Sequence, residues 1–279
     1  CDQPLIRREI RELSLDERKK FFAAVTKLHE MRPINGKNLN RLDYFAWSHD
    51  KIYDTIHMNP NFLPWHRYFL QLFQEMIWQV DPSVVVPYWD WTKDSQEPHK
   101  SPIFTDEFIG GNGKKQYGYE LQNGFMANWE VNYPNTHKIK RCFRKNVNNT
   151  LVVSEEIDPW PSPILMNSLM NTNKDYSSFA RDAELYHGYV HVSTGGEGAE
   201  MGKNYSPHDI LFFLHHGYVD RYWWIWQKRN PDLARTYNGN HHDPPRQVSE
   251  NDLLNFPGAP SIQVKDTFDT VGSRFCYVY

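Results

Sequence analysis

Phe212-Phe213-Leu214-His215-His216-Gly217-Tyr218-Val219-Asp220-Arg221 is the stretch on which the fold turns. It lies within Asp209 to Arg229, an aromatic-rich run that Asn230-Pro231 stops, and that run predicts a helix. Aromatic and aliphatic neighbours set His216 against a core. Asp220 follows four residues later on the same helical face, where a carboxylate can orient an imidazole or a neighbouring arginine. Upstream, Tyr176 to Val192 predicts another helix. On it His187 and His191 are four apart, so their imidazoles share a face and can reach one metal ion. A lone H-x-x-x-H arises by chance in a chain with 13 histidines. The neighbouring helix bearing His216 gives this pair its meaning.

The first half of the chain holds a second cluster, His49, His57 and His66. His66 sits in Phe62-Leu63-Pro64-Trp65-His66-Arg67, at the head of a helix within Asn61 to Val80. That helix starts near Pro64, carries Phe69, Phe73 and Ile77 on one stripe, and ends before Pro82. A further helix is predicted over Leu15 to Met31, with Ser14 and Glu17 as a capping box. One buried histidine is ordinarily a hydrogen-bonded core residue. Six in two triads, each with a member on an aromatic-lined helix, point to metal. Imidazole suits zinc, copper, iron and nickel. Paired zinc sites use bridging carboxylates, and the nearest here, Asp50 and Asp54, would be turned away by a helix. Two neutral three-histidine sites therefore fit two copper ions, a pair suited to O2 because each Cu(I) supplies one electron.

The remaining composition mostly excludes. Lys+Arg 31 against Asp+Glu 34 leaves a net charge of −3 and no basic field for nucleic acid. Apolar runs such as Val84-Val85-Val86 fall far short of a membrane span. Mean hydropathy is −0.73, yet 15% aromatic residues supply a core that disordered chains lack. Cys1, Cys142 and Cys276 form no C-x-x-C, so a cysteine zinc site and a thioredoxin-type site are excluded. The chain starts at Cys1 without initiator Met or signal peptide, and reads as a processed or truncated form. The sequons at Asn148 and Asn204 agree with a secreted or organelle-lumen protein. Residues 92–135 and 231–262 read as long loops, and Ser261 to Tyr279 as one or two strands. The expectation is a mainly α protein, a single domain over residues 1–279 with long loops and a few short strands.

Three segments carry a family resemblance: Phe62-Leu63-Pro64-Trp65-His66-Arg67-Tyr68-Phe69, Val86-Pro87-Tyr88-Trp89-Asp90-Trp91-Thr92, and Phe213-Leu214-His215-His216-Gly217-Tyr218-Val219-Asp220-Arg221. With Phe108-Ile109-Gly110-Gly111-Asn112-Gly113, they resemble the tyrosinase family of binuclear copper proteins over nearly the whole chain. The resemblance implies a four-helix bundle around the copper pair, with helices carrying His49, His66, His187 with His191, and His216. It implies that His49, His57 and His66 bind the first copper, with His29 as the alternative to His49. The second copper falls to His187, His191 and His216, because the family's H-x-x-x-D selects His216 over His215. His215 and residues between Gly195 and Asp209 would then line the substrate pocket, with Met201 overhanging its entrance. Asp209-Ile210-Leu211-Phe212 departs from the family's Asp-Pro-x-Phe. Arg7 and Tyr277-Val278-Tyr279 resemble the family's terminal clasp, which brings the termini together and lets Cys1 bond Cys276. The chain then reads as a catalytic core without a C-terminal domain.

The implied activity is oxidation of small phenols or catechols by O2 to o-quinones. Two other functions share the resemblance: an oxygen carrier like a molluscan haemocyanin unit, and a copper-free structural homologue. The carriers place a cysteine two residues before the second histidine and form a thioether. Thr55 stands there, so no such crosslink can form. Family members that hydroxylate monophenols carry Asn after the first histidine of the second site, which with a Glu holds a basic water. Gly188 takes the Asn position, leaving Glu184 as the expected catalytic carboxylate and catechols as the expected substrates. The sequence leaves the oligomeric state open.

Overall fold

The computed structural model describes residues 1–31, 38–242, 245–272 and 274–279. Ser14 opens the first helix, α1 (Leu15–Glu30), through the expected capping box with Glu17. Asn40 and Asp43 cap α2 (Arg41–Lys51) in the same way. The one-turn α3 (Tyr53–Ile56) leads to α4 (Phe62–Trp78). The latter begins two residues before Pro64, which its first turn tolerates because no intrahelical N–H is needed there. Then come α5 (Pro163–Thr172), α6 (Tyr176–Thr194) and α7 (Leu211–Arg229). Asp209, expected inside the last helix, stands before it. Its carboxylate accepts from the Leu211 N–H and pairs with the buried Arg141 guanidinium at 2.7 Å.

The fold is helix-rich with few short strands, as expected. Phe45 of α2 meets Phe69 and Phe73 of α4 edge-on at 5.2 and 5.7 Å between centroids. Phe213 of α7 stacks on Phe73 at 3.7 Å and on Phe69 at 5.6 Å. These rings form the apolar floor on which α2, α4 and α7 converge, and α6 packs across α4 and α7. Such aromatic pairs add about 0.5–1.5 kcal/mol each beyond burial.

The loop expectations need correction. Residues 92–135 contain 3₁₀ turns and the strand Glu130–Val131, which pairs with His137–Lys138. Residues 231–262 hold the hairpin Asn240–His242 with Pro245–Gln247, and most of a second, Leu253–Phe256 with Ala259–Gln263. Hairpin Arg144–Val147 with Thr150–Val153 turns on Asn148 and Asn149, both at positive φ, which asparagine tolerates. The tail strands lie at Ala259–Gln263 and Tyr277–Val278.

The termini meet. Leu5–Ile6 pairs in parallel with Tyr277–Val278, and Cys1 is disulfide-bonded to Cys276. Beneath this clasp lies Asp220. Its carboxylate accepts from Arg67 Nε, Tyr277 OH and Tyr279 OH, each at 2.5 Å, and from Arg7 at 3.4 Å. Asp220 therefore orients an arginine, Arg67, and not His216. Burial pushes the Asp220 carboxyl up, but Arg67 and Arg7 outweigh it and hold the group below its usual range. One carboxylate thus joins α4, α7 and both termini.

Candidate metal centre

Six histidines converge between α2, α4, α6 and α7. His49, His57 and His66 lie with ring centroids 5.0–5.6 Å apart. His187, His191 and His216 lie 5.0–5.6 Å apart. The triads face each other: His66 stacks on His216 at 4.4 Å, and His57 lies 6.4 Å from His187. In each group one nitrogen per ring falls within 4.8 Å of the others, close enough to hold an ion. His57 comes from the turn after α3, stacked on Tyr53 at 4.1 Å, and the other five come from helices. His29 is elsewhere, stacked on Trp129 at 4.3 Å, so His49 completes the first triad.

Hydrogen bonds fix which nitrogen faces inward. His57 Nδ1 donates to Tyr53 O at 3.1 Å, His66 Nδ1 to Phe62 O at 2.7 Å, and His191 Nδ1 to Met201 O at 2.8 Å. His49 Nδ1 donates to Asn204 O and His187 Nδ1 to Glu184 O. Five of the rings therefore carry their proton on Nδ1 and turn a bare Nε2 lone pair inward. His49 Nε2 and His66 Nε2 lie 3.4 Å apart, as two acceptors with no proton between them. Burial pushes all six imidazoles down, His49 to about 3 and His191 to about 4. Protonation cannot relieve the facing lone pairs near neutral pH, whereas a metal cation between them can. The donor set fits soft-to-borderline ions such as copper.

The triads open onto a cavity of about 220 Å³. Met201, Gly188 and Val192 are on its walls, as are residues 202–204 and 206 of the segment expected there. A Cβ on Gly188 would meet no atom within 4 Å. Two placements differ from expectation. His215 does not line this mouth. One helix position from His216, it packs against the second triad, fully buried, parallel to His187 at 5.5 Å and 5.2 Å from both His191 and His216. One of its ring nitrogens lies within 4.8 Å of a nitrogen of each of the other three, which makes it a fourth possible donor. Glu184 does not reach the mouth either. Its carboxylate accepts from the Met58 N–H at 2.7 Å and lines an adjacent cavity of about 510 Å³, where burial raises it to about 8. It clamps the loop that follows His57. The carbonyls of Asn204 and Met201, which orient His49 and His191, left no trace in the sequence, since every residue has one.

The common central domain of tyrosinase matches residues 21–229. The tyrosinase ustQ of Aspergillus flavus is 30% identical over 293 residues, covering 100% of this chain and 80% of that one. The fold is similar to a polyphenol oxidase of Thermothelomyces thermophila, with a TM-score of 0.83 at 23% identity over 100% of this chain and 89% of that one. It is also similar to a functional unit of octopus hemocyanin, with a TM-score of 0.65 at 19% identity over 99% and 68%. The chain belongs to the tyrosinase family of binuclear copper proteins.

Proposed function

We propose that residues 1–279 act as one catalytic domain that oxidises small catechols with O2. His49, His57 and His66 hold one copper, and His187, His191 and His216 the other. The observation that carries this reading is two buried triads of inward-turned Nε2 atoms opening onto a mouth with room for one aromatic ring. The copper pair, when bound, supplies two-electron exchange with O2. The chain's own residues do the rest. Backbone carbonyls hold five of the six ligand rings in one tautomer, so those rings need no reorientation during turnover. Phe62 and Phe212 pack beside the imidazoles and keep water from their flanks. Glu184 holds the His57 loop through Met58, so its part is positioning. The balance is two catechols and one O2 giving two o-quinones and two waters.

Gly188 supports catechols over monophenols, because no side chain there can hold a basic water at the mouth. A cavity sized for a ring favours an oxidase over a carrier, which needs room only for O2. The Cys1–Cys276 disulfide and the exposed sequon turn at Asn148 support a secreted or lumenal setting. The test is oxygen uptake by copper-loaded protein with 4-methylcatechol. One O2 consumed per two catechols is expected. Reversible O2 binding without quinone formation would favour the carrier reading instead.

A further inference from the structure

The residues lining the mouth come from separate segments of the chain, and the charged ones are of one sign. Arg144, the first residue of the hairpin that turns at Asn148, stands on one side. Lys203, in the loop before α7, stands on it as well. No Asp or Glu side chain lines the cavity. Among the described residues neither cation has a carboxylate within 4 Å, although the whole chain carries a net charge of −3.

Arg144 is held in place. Its Nε and Nη2 both donate to the Val192 carbonyl, at 3.0 and 2.7 Å, near the end of α6. Its aliphatic stem lies against Gly196, where an added Cβ would come within 2.8 Å of it. The guanidinium therefore waits in one orientation with Nη1 still free to donate, and little ordering is needed when an anion arrives. Lys203 is exposed and reaches its anion as a point charge on a flexible stem.

At about 220 Å³ the cavity is smaller than the ~300–1,000 Å³ of common ligand pockets. A catechol ring placed over the triads takes up much of it, and the charged lining residues available to a substituent on that ring are Arg144 and Lys203. We propose that this rim selects catechols bearing a carboxylate on a short arm, with Arg144 and Lys203 as the specificity-determining residues. The inference rests on the oxidase reading for the ring and adds the charge of its tail. Amine-bearing catechols meet two like charges and are disfavoured.

The test compares kcat/KM for 3,4-dihydroxyphenylpropanoate, neutral 4-methylcatechol and dopamine on copper-loaded protein. The carboxylate is expected to exceed the neutral catechol about 3- to 10-fold through KM, since exposed charge pairs contribute modestly. Dopamine is expected to fall below it. The advantage shrinks as NaCl rises, because the rim is open to solvent. Lys203→Glu lowers the carboxylate-to-amine ratio at least 10-fold, and Arg144→Gln lowers it about 3-fold. Binding of redox-inert 3-phenylpropanoate against 3-phenylpropan-1-ol, measured by calorimetry, gives the same order without turnover.

Failure of the two readings is distinguishable. If no catechol is oxidised but 3-phenylpropanoate still binds better and Lys203→Glu abolishes the difference, the oxidase reading falls and the anionic rim stands. If the three catechols are oxidised alike and Lys203→Glu leaves their ratios unchanged, the rim proposal is overturned while the oxidase reading stands.

Discussion

Replacing Asp220 by Asn keeps the size of the side chain and removes the charge. The Asp220 and Arg67 side chains are 2% and 0% exposed, so water cannot take the carboxylate's place. Arg67 would keep Gln227 Oε1 at 3.0 Å, Thr267 O at 2.8 Å and its stacking on Trp223. It would lose its only close counter-charge among the described residues. Arg7 would keep the Tyr277 ring, 3.7 Å away, and the Tyr279 hydroxyl. Removing one partner of a buried pair costs about 3–5 kcal/mol. At about 2–4 °C per kcal/mol for a chain of this order of size, the melting temperature falls by about 6–20 °C. Urea titration followed by tryptophan fluorescence measures this as a lower midpoint at constant slope. The exposed Arg235→Gln serves as control, with an expected change within about 0.5 kcal/mol. The sign with pH also follows. The folded Asp220 carboxyl is held below its usual range, so its contribution is present above the unfolded value of about 4 and is lost as pH falls through the folded one. The gap between wild type and Asp220→Asn therefore narrows in acid. A loss below about 1 kcal/mol at pH 7 would refute the clasp as a source of stability.

Three further outcomes are expected. The Glu200 carboxylate raises His137 above 6.5, so the pair stabilises the fold fully below that pH and loses this contribution as pH rises through the raised value. Urea midpoints at pH 5.5 and 8.5 should therefore diverge more for wild type than for His137→Gln. Gly188→Asn, entering open space, should raise the ratio of monophenol to catechol kcat/KM at least ~10-fold, since placing a base well is worth that much or more; an unchanged ratio at full copper would refute the role given to Gly188. His241→Ala should leave copper loading intact, because that ring meets Asn61 Nδ2 at 3.4 Å outside both triads. The side chain of His242, expected to be equally dispensable, lies outside the described residues.

The sequence disclosed the site better than its surroundings. His187 and His191 were legible from helical spacing, and His66 and His216 from apolar neighbours that force an imidazole into a core. His49 and His57 are joined to that centre by a short turn whose geometry no periodicity reports. Helix α5 stayed hidden because Pro163–Thr172 buries only Met166 and Met170 and leaves Ile164 83% exposed, so its apolar stripe is weak. The hairpins in 231–262 escaped because proline and polar residues mask the alternation that marks a strand. Glu184 shows the limit of helical spacing. Three residues from His187 it shares that face, yet the bare Met58 N–H draws its carboxylate away from the mouth.

The central claim is that two histidine triads hold a copper pair, and copper per chain measures it directly. Protein reconstituted under Cu(I), desalted and analysed by inductively coupled plasma mass spectrometry should hold two copper ions per chain. Single His66→Ala and His216→Ala variants should each lose copper from the triad they belong to, with far-ultraviolet circular dichroism preserved. Wild-type protein that is folded and retains no copper would contradict the account, as would either variant that still holds both ions.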